Sequence, residues 1–373
     1  MALGCIGGLG ALATPASAQD DGSGSILIGA SLPLSGPNAG AGQEGLLVLN
    51  AYFESINRAG GIGGRRLSLQ ALDDEFNPKR AAENATLLAA SKAVAVFNCW
   101  GTSSCSAMMP IITKAGLPMV AGIAGGGPMR DKPGRYAFNI RATTSAEIAR
   151  MVAQMKTVGQ TSIALITQND PFGKSGLAAA QAVLAAAQIK PVAELAVEGD
   201  GSNVPTVVEA LHKLPQLNGA ILVAAPPATV KLIPAARQAG LMVQFYNLAA
   251  QANRKVAADL GPHTAGVVFT TLVPSPWKEG IPVVKEYQQI VEASTGKREF
   301  SYLGLEIFIN ARLLVEGLRK AGRNPQRESL VSALEDMGPR QFGPLNIDYG
   351  SGGRKGAGYV GLTIIDRAGR FVE

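Results

Sequence analysis

Three hydroxyl side chains stand in a row at Thr102-Ser103-Ser104, after Gly101 and a short apolar run ending at Asn98. A helical pattern opens at about Ser103. Hydroxyls and unpaired backbone N–H groups at a helix N-terminus favour an anion, and a ligand carboxylate is the natural guest. Capping that helix would use a single hydroxyl, from Thr102 or Ser103, and leave donors to spare. The next strand-end loop, Ala121-Gly122-Ile123-Ala124-Gly125-Gly126-Gly127-Pro128, exposes backbone groups and lets a ligand approach closely. Phe172 follows Asp170-Pro171 at the start of another helical pattern, where it would point a ring into the same cleft. The plainer alternative for Phe172 is a hydrophobic contact at the helix start.

Other motifs carry less. Gly40-Ala41-Gly42-Gln43-Glu44-Gly45 spells the dinucleotide fingerprint, but residues 33–39 separate it from the preceding strand. The acids Asp73-Asp74 also stand later than that fingerprint wants. They read better as the cap of a strand end than as a metal or acid–base pair. There is no G-x-S-x-G, no H-E-x-x-H and no Cys/His pairing, so no catalytic set emerges and an enzyme is the minority reading. No cofactor is expected. His212 and His263 are far apart and in no metal-ligand spacing.

These candidates need strands that end together. Apolar runs at 26–33, 67–72, 93–98, 119–121, 162–167, 191–196, 219–224, 244–247 and 266–271 alternate with helical patterns. Regular alternation of this kind predicts parallel sheets with helices on both faces. The plan of strand, polar loop and helix is repeated from Ser162, which suggests two similar lobes. Helical patterns at 285–295, 302–321 and 326–335 have no strand between them, so the chain should return there to the first lobe. Residues 345–347 and 359–366 read as a terminal hairpin.

The chain has 373 residues, long enough for two cores. With 47% hydrophobic and 17% charged residues, global disorder is excluded. The net charge of +6 is scattered, and no basic tract alternates with aromatics, which argues against nucleic-acid binding. Residues 1–18 read as a secretory signal peptide, with Ala16-Ser17-Ala18 as the cleavage signal. The usual basic start is missing, as a start codon placed too far downstream would explain. The mature chain should be periplasmic. Its two cysteines, Cys99 and Cys105, permit a disulfide, with two buried thiols as the alternative.

Seven segments in order now support a family resemblance. They include IGASLPLSGP (28–37), NRAGGIGGRRLSL (57–69), DDEFNPKRA (73–81), WGTSSCSAMMPII (100–112) and IALITQNDPFGKSG (163–176). With GLPMVAG (116–122) and YVGLTIID (359–366), the chain resembles the type I periplasmic solute-binding proteins of ABC importers, in the branched-chain amino-acid (Leu/Ile/Val) binding branch. The resemblance implies two Rossmann-like lobes joined by three crossing hinge segments, here near 141–144, 270–274 and 338–342. The first lobe would take 26–141 plus 273–338, the second 142–272 plus 339–373. Ligand would lie in the cleft, with ABC permease subunits as partners and a monomeric state.

By the same resemblance Thr102 and Ser103, with Trp100 beside them, would hold the ligand carboxylate. Ile123, Ala124 and Gly125 would add backbone contacts, and Phe172 stands where the family often has Tyr. Two departures stand out. The aromatic that covers the ligand in amino-acid binders falls at or near Ala41, so the pocket should be roomier. The acid that holds the ligand ammonium should fall in 246–251, around Ala249, and none is there. A buried ammonium without a counter-charge is costly. The sequence therefore points to a small carboxylate with an apolar or aromatic body, with amino-acid import as the family's default role.

Overall fold

The computed structural model describes residues 24–350, 354 and 356–373. The expected signal peptide lies outside the described residues. Two sheets organise the rest. The first runs in the order β2 (Leu67–Asp73), β1 (Ile26–Leu32), β3 (Ala95–Phe97), β4 (Met119–Val120), β5 (Ala137–Phe138), and every pair is parallel. The second runs β14 (Phe371–Val372), β13 (Gly361–Ile365), β10 (Val268–Thr271), β9 (Gln244–Asn247), β8 (Gly219–Val223), β6 (Ile163–Gln168), β7 (Ala193–Val197). Here β13 and β14 join antiparallel and the rest are parallel. This is the α/β architecture of two Rossmann-like lobes.

The strands form where the apolar runs lie, because both faces of each sheet are covered. In β6 all six residues are buried, including Thr167 and Gln168 at its carboxyl end. Helices α1 (Ala39–Arg58), α2 (Pro78–Ala90), α3 (Thr102–Lys114) and the short α4 (Gly127–Arg130) belong to the first lobe. Helices α5 (Thr144–Thr157), α6 (Pro171–Ala186), α7 (Val204–His212), α8 (Pro226–Gln238) and α9 (Arg254–Leu260) belong to the second. Local caps fix their starts. Asn77 Oδ1 accepts from Lys79 N at 2.9 Å for α2, and Asp170 Oδ1 accepts from Gly173 N at 2.8 Å for α6. Both helices begin on a proline, which has no N–H to leave unpaired.

Helices α10 (Pro282–Thr295), α11 (Tyr302–Lys320) and α12 (Arg327–Glu335) follow without a strand between them. Both α10 and α11 pack on α1, so the chain does return to the first lobe. The tail differs from the expected hairpin. Leu345–Ile347 (β12) pairs with Arg340–Phe342 (β11) in a separate ribbon, while β13 pairs with β10. The Phe342 ring of that ribbon lies under Arg312 of α11, 5.6 Å away. The third crossing therefore falls after Ile347, later than 338–342. There Tyr349 packs edge-on against Phe138 at 5.2 Å, and Ala357 N donates to Ile140 O at 2.7 Å.

A second difference bears on the site. Helix α1 starts at Ala39, so Gly40-Ala41-Gly42 is its first turn and not a loop. A Cβ on Gly42 would meet Pro33 O at 2.0 Å, and one on Gly45 would meet Ile307 Cδ1 at 2.8 Å. Those glycines serve close packing of α1 on the strand end and on α11, which accounts for the spurious fingerprint.

Candidate functional site

The carboxyl ends of β1, β3 and β4 face those of β6, β8 and β9 across the gap between the lobes. Open α/β sheets bind ligands at that end. On the first-lobe wall, Gly101 is the N-cap of α3, in a left-handed conformation (φ 83°) that a side chain would resist. No side chain caps this helix. Thr102 Oγ1 instead accepts from Gly126 N at 3.2 Å. Ser103 Oγ is buried and has no hydrogen-bond partner. One hydroxyl thus holds the neighbouring loop, and one stays unspent beside the unpaired N–H groups of the helix start.

That loop is drawn in tightly. Trp100 and Ile123 form a parallel bridge, with Ile123 N donating to Cys99 O at 2.8 Å and Gly101 N to Ile123 O at 3.0 Å. Cys99 and Cys105 are disulfide-bonded and fully buried, tying the end of β3 to the first turn of α3. Ala124 O accepts from Arg130 Nε at 2.8 Å, and Gly125 O accepts from Thr144 N at 2.8 Å. Trp100, Thr102, Ser103, Ile123, Ala124 and Gly125 are thereby brought together.

Sequence reasoning missed Phe76 on this wall. It is half-buried with φ 59°, and its ring lies where a Cβ on Gly101 would come within 2.8 Å. Asp74 Oδ1 accepts from Phe76 N at 2.9 Å and Asp74 Oδ2 from Ser31 Oγ at 2.8 Å. Asp73 Oδ1 accepts from Leu34 N at 2.9 Å. The acid pair holds the loops at the strand ends, and the aromatic beside it carries the backbone strain that marks functional sites.

The opposite wall is apolar with amide edges. Gln168 Oε1 accepts from Ala225 N at 2.9 Å, and its Nε2 donates to Asp170 Oδ2 at 2.8 Å. Gln251 Nε2 donates to Ala224 O at 2.7 Å, whereas its Oε1 is buried without a partner. Pro226 and Pro227 face Pro37, Gly40 and Ala41 across a cavity of about 180 Å³ at the cleft mouth. Ala41 lines that cavity. The lobes also touch near Thr102, where Gly127 N donates to Ser175 Oγ at 3.1 Å. A larger crevice of about 620 Å³ opens at the other end of the first sheet. Arg327 beside it is committed to the carbonyls of Ala89, Ser91, Ala93 and Ala115.

Phe172, at the start of α6, is partly buried. It packs on the second lobe's cluster with Ile148, Met151 and Leu184. Ala249 opens a short 3-10 turn, Ala249–Gln251, and its N–H donates to Glu147 Oε2 at 2.8 Å. No acid occupies 246–251, but one reaches that turn from α5. Glu147 is buried, and its Oε2 also accepts from Thr270 Oγ1. Burial pushes this carboxyl above its ordinary range, while Arg141, Ala249 N and Thr270 pull it partly back. In the sequence Glu147 reads as a solvated acid in the first turn of a helix, which hides it. Among the described residues no group of three or more His, Cys, Asp or Glu could hold a metal.

Two α/β lobes with their strand ends opposed are the frame of a two-lobed binding protein. The chain belongs to the periplasmic binding protein family, whose model matches residues 25–358. Solved structures agree. A substrate-binding periplasmic protein from Ralstonia solanacearum is 26% identical, with TM-score 0.86 over 93% of this chain and 99% of that one. An extracellular ligand-binding receptor from Verminephrobacter eiseniae is 24% identical, with TM-score 0.87 over 94% and 100%. A solute-binding protein of an R. palustris ABC transporter, in complex with benzoate, has TM-score 0.82 at 18% identity over 94% and 95%. No curated protein matches the chain in sequence. Among the described residues no helix is long and apolar enough to cross a membrane.

Proposed function

We propose that this protein is the extracytoplasmic solute-binding component of an ABC importer. It captures an apolar-bodied carboxylate between its lobes and delivers it to a membrane permease without chemical change. One observation carries the reading: a buried, unpartnered Ser103 Oγ at the start of α3, where no side chain caps the helix. The carboxylate would sit on Thr102, Ser103 and the first N–H groups of α3, with the body against Trp100, Ile123 and the prolines. The chain would be exported by cleavage after Ala18 and act as a monomer.

Amine-free ligands fit best. Glu147 is the acid nearest the place where an ammonium partner is expected, and its Oε2 is spent on Ala249 N and Thr270. The benzoate complex of the R. palustris neighbour supports the same class. The competing reading, an amino acid, is favoured by the neighbour from Streptococcus pneumoniae in complex with isoleucine.

A thermal-shift screen on protein stripped of carried-over ligand separates the two. The panel holds leucine, isoleucine, benzoate, phenylacetate and medium-chain fatty acids. A ligand at about 100 times its Kd adds about 2.7 kcal/mol to stability. A shift with the amine-free acids alone is the expected result. A shift with leucine or isoleucine alone would assign Glu147 or Gln251 to an ammonium and return the protein to amino-acid import.

A further inference from the structure

Four buried charged side chains meet at the hinge, behind the loops of the candidate site. Arg141 lies on the first crossing and makes a two-pronged ion pair with Glu306 of α11, Nε–Oε1 2.8 Å and Nη2–Oε2 3.0 Å. That pair fastens the crossing to the first lobe. Glu147, on the first turns of α5, fastens the second lobe, because its carboxylate receives Ala249 N from the 3-10 turn and Thr270 Oγ1 from the second crossing. Arg130 at the end of α4 donates to Ala124 O at 2.8 Å and so holds the first-lobe loop. Burial and the nearby Arg141 pull Arg130 down to about 10, which leaves it charged at neutral pH. The buried Tyr349 of the third crossing also faces Arg130, and Arg354 faces Tyr349. Two basic and two acidic side chains therefore lie together out of water.

We propose that Arg130, Arg141, Glu147 and Glu306 are positioning residues that couple the two ligand loops, at Ala124 and Ala249, to each other through the hinge. The proposal rests on the reading that the cleft binds a solute. The mechanical logic is direct. Arg141 is fixed to the first lobe through Glu306, and Glu147 is fixed to the second through Ala249 and Thr270. Arg141 also attracts Glu147, so this attraction spans the pivot about which the lobes turn. Opening moves the two charges relative to each other. In a low-dielectric interior, Coulomb energy changes steeply with separation. A shift in either ligand loop is thus felt at the pivot, and lobe closure sets both loops together. Packing alone would bury apolar groups at this place more cheaply than four charges.

The test uses Glu147→Gln, Arg130→Met, the double variant and Arg130→Lys. Each single variant removes one basic or one acidic partner from the cluster, and the double variant removes one of each. With benzoate and leucine as probes, each single change should weaken binding about tenfold, within the usual range of coupling between sites. The double variant should recover at least half of that loss on a logarithmic scale, and Arg130→Lys should bind within about twofold of the parent. A purely structural role would lower the melting temperature and leave affinity unchanged at temperatures where the variants are folded. Additive losses in the double variant, or unchanged affinity in both single variants, would overturn the proposal. A second readout needs no ligand. Leu87 and Met242 are exposed, one on each lobe, and dyes at these positions report lobe separation by energy transfer. Both single variants should broaden that distance distribution, and an identical distribution in both would overturn the coupling. If neither probe binds the parent protein, the carboxylate reading fails and this second readout still decides the hinge.

Discussion

Ser103 holds a hydroxyl oxygen out of water with nothing to bond. Left unpaired, such a group costs stability; paired to a carboxylate, it contributes a charge-assisted hydrogen bond. Ser103→Ala should therefore leave melting temperature unchanged or slightly raised and weaken carboxylate binding about tenfold, the size of one hydrogen bond to a charged group. Calorimetry and a thermal melt on the same sample check both halves. Equal affinity would move the anion away from the start of α3. The run Thr102-Ser103-Ser104 showed this possibility in sequence, because three hydroxyls exceed what a cap requires. Phe76 gave no such signal. Its role follows from two consecutive left-handed residues, Glu75 and Phe76, held by Asp73 and Asp74, and backbone strain of that kind leaves no trace in composition.

At the level of elements, long buried strands such as β1 and β6 were legible because both faces are covered and the apolar run is unbroken. Short ones were not. Strand β5 has two residues and α4 has four, too few for any periodicity. Helix α1 begins earlier than its pattern suggests, since Gly40 and Gly42 have low helix propensity and are tolerated only for packing. Its Glu44 is more deeply set than an i, i+4 reading of an exposed helix face implies. The carboxylate accepts from Ser301 Oγ, which in turn caps α11 by accepting from Gly304 N at 2.8 Å. Burial raises the Glu44 carboxyl above its ordinary value, with Ser301 and Arg254 drawing it partly back. A raised folded value means the folded chain keeps this proton to higher pH than the unfolded chain does. Glu44 thus favours folding less as pH rises from the ordinary glutamate range through the raised value. Urea unfolding of the parent and Glu44→Gln at about pH 5 and about pH 7 isolates the effect. The parent should gain stability over the variant on acidification. A constant difference would mean that Glu44 ionises alike in both states.

The proposed function requires that the lobes part and meet. The repeated strand–loop–helix plan made both lobes legible in the sequence. It could not show which residues meet across the cleft, because those pairs lie far apart along the chain. One such pair allows a direct test. A Cβ built on Gly40 of α1 lies 3.4 Å from Lys255 Cβ of α9, across the cleft mouth. That is close to the Cβ separation of a disulfide, about 3.5–4.5 Å. Gly40 has no left-handed backbone to strain, and the nearest atoms to its Cβ belong to the Lys255 stem that the substitution removes. Gly40→Cys with Lys255→Cys should therefore cross-link the lobes on oxidation, with little change in either core. The native Cys99–Cys105 bond is fully buried and should survive a mild reductant. If ligand enters and leaves by hinge opening, the oxidised double variant should neither take up nor release benzoate on the time scale of minutes, and mild reduction should restore exchange. Mass spectrometry confirms the cross-link, and a stopped-flow or dialysis release assay reads the rate. Unchanged release from fully cross-linked protein would show that the solute does not pass through the mouth lined by Ala41, Pro226 and Pro227, and the pocket would have to be sought elsewhere along the seam.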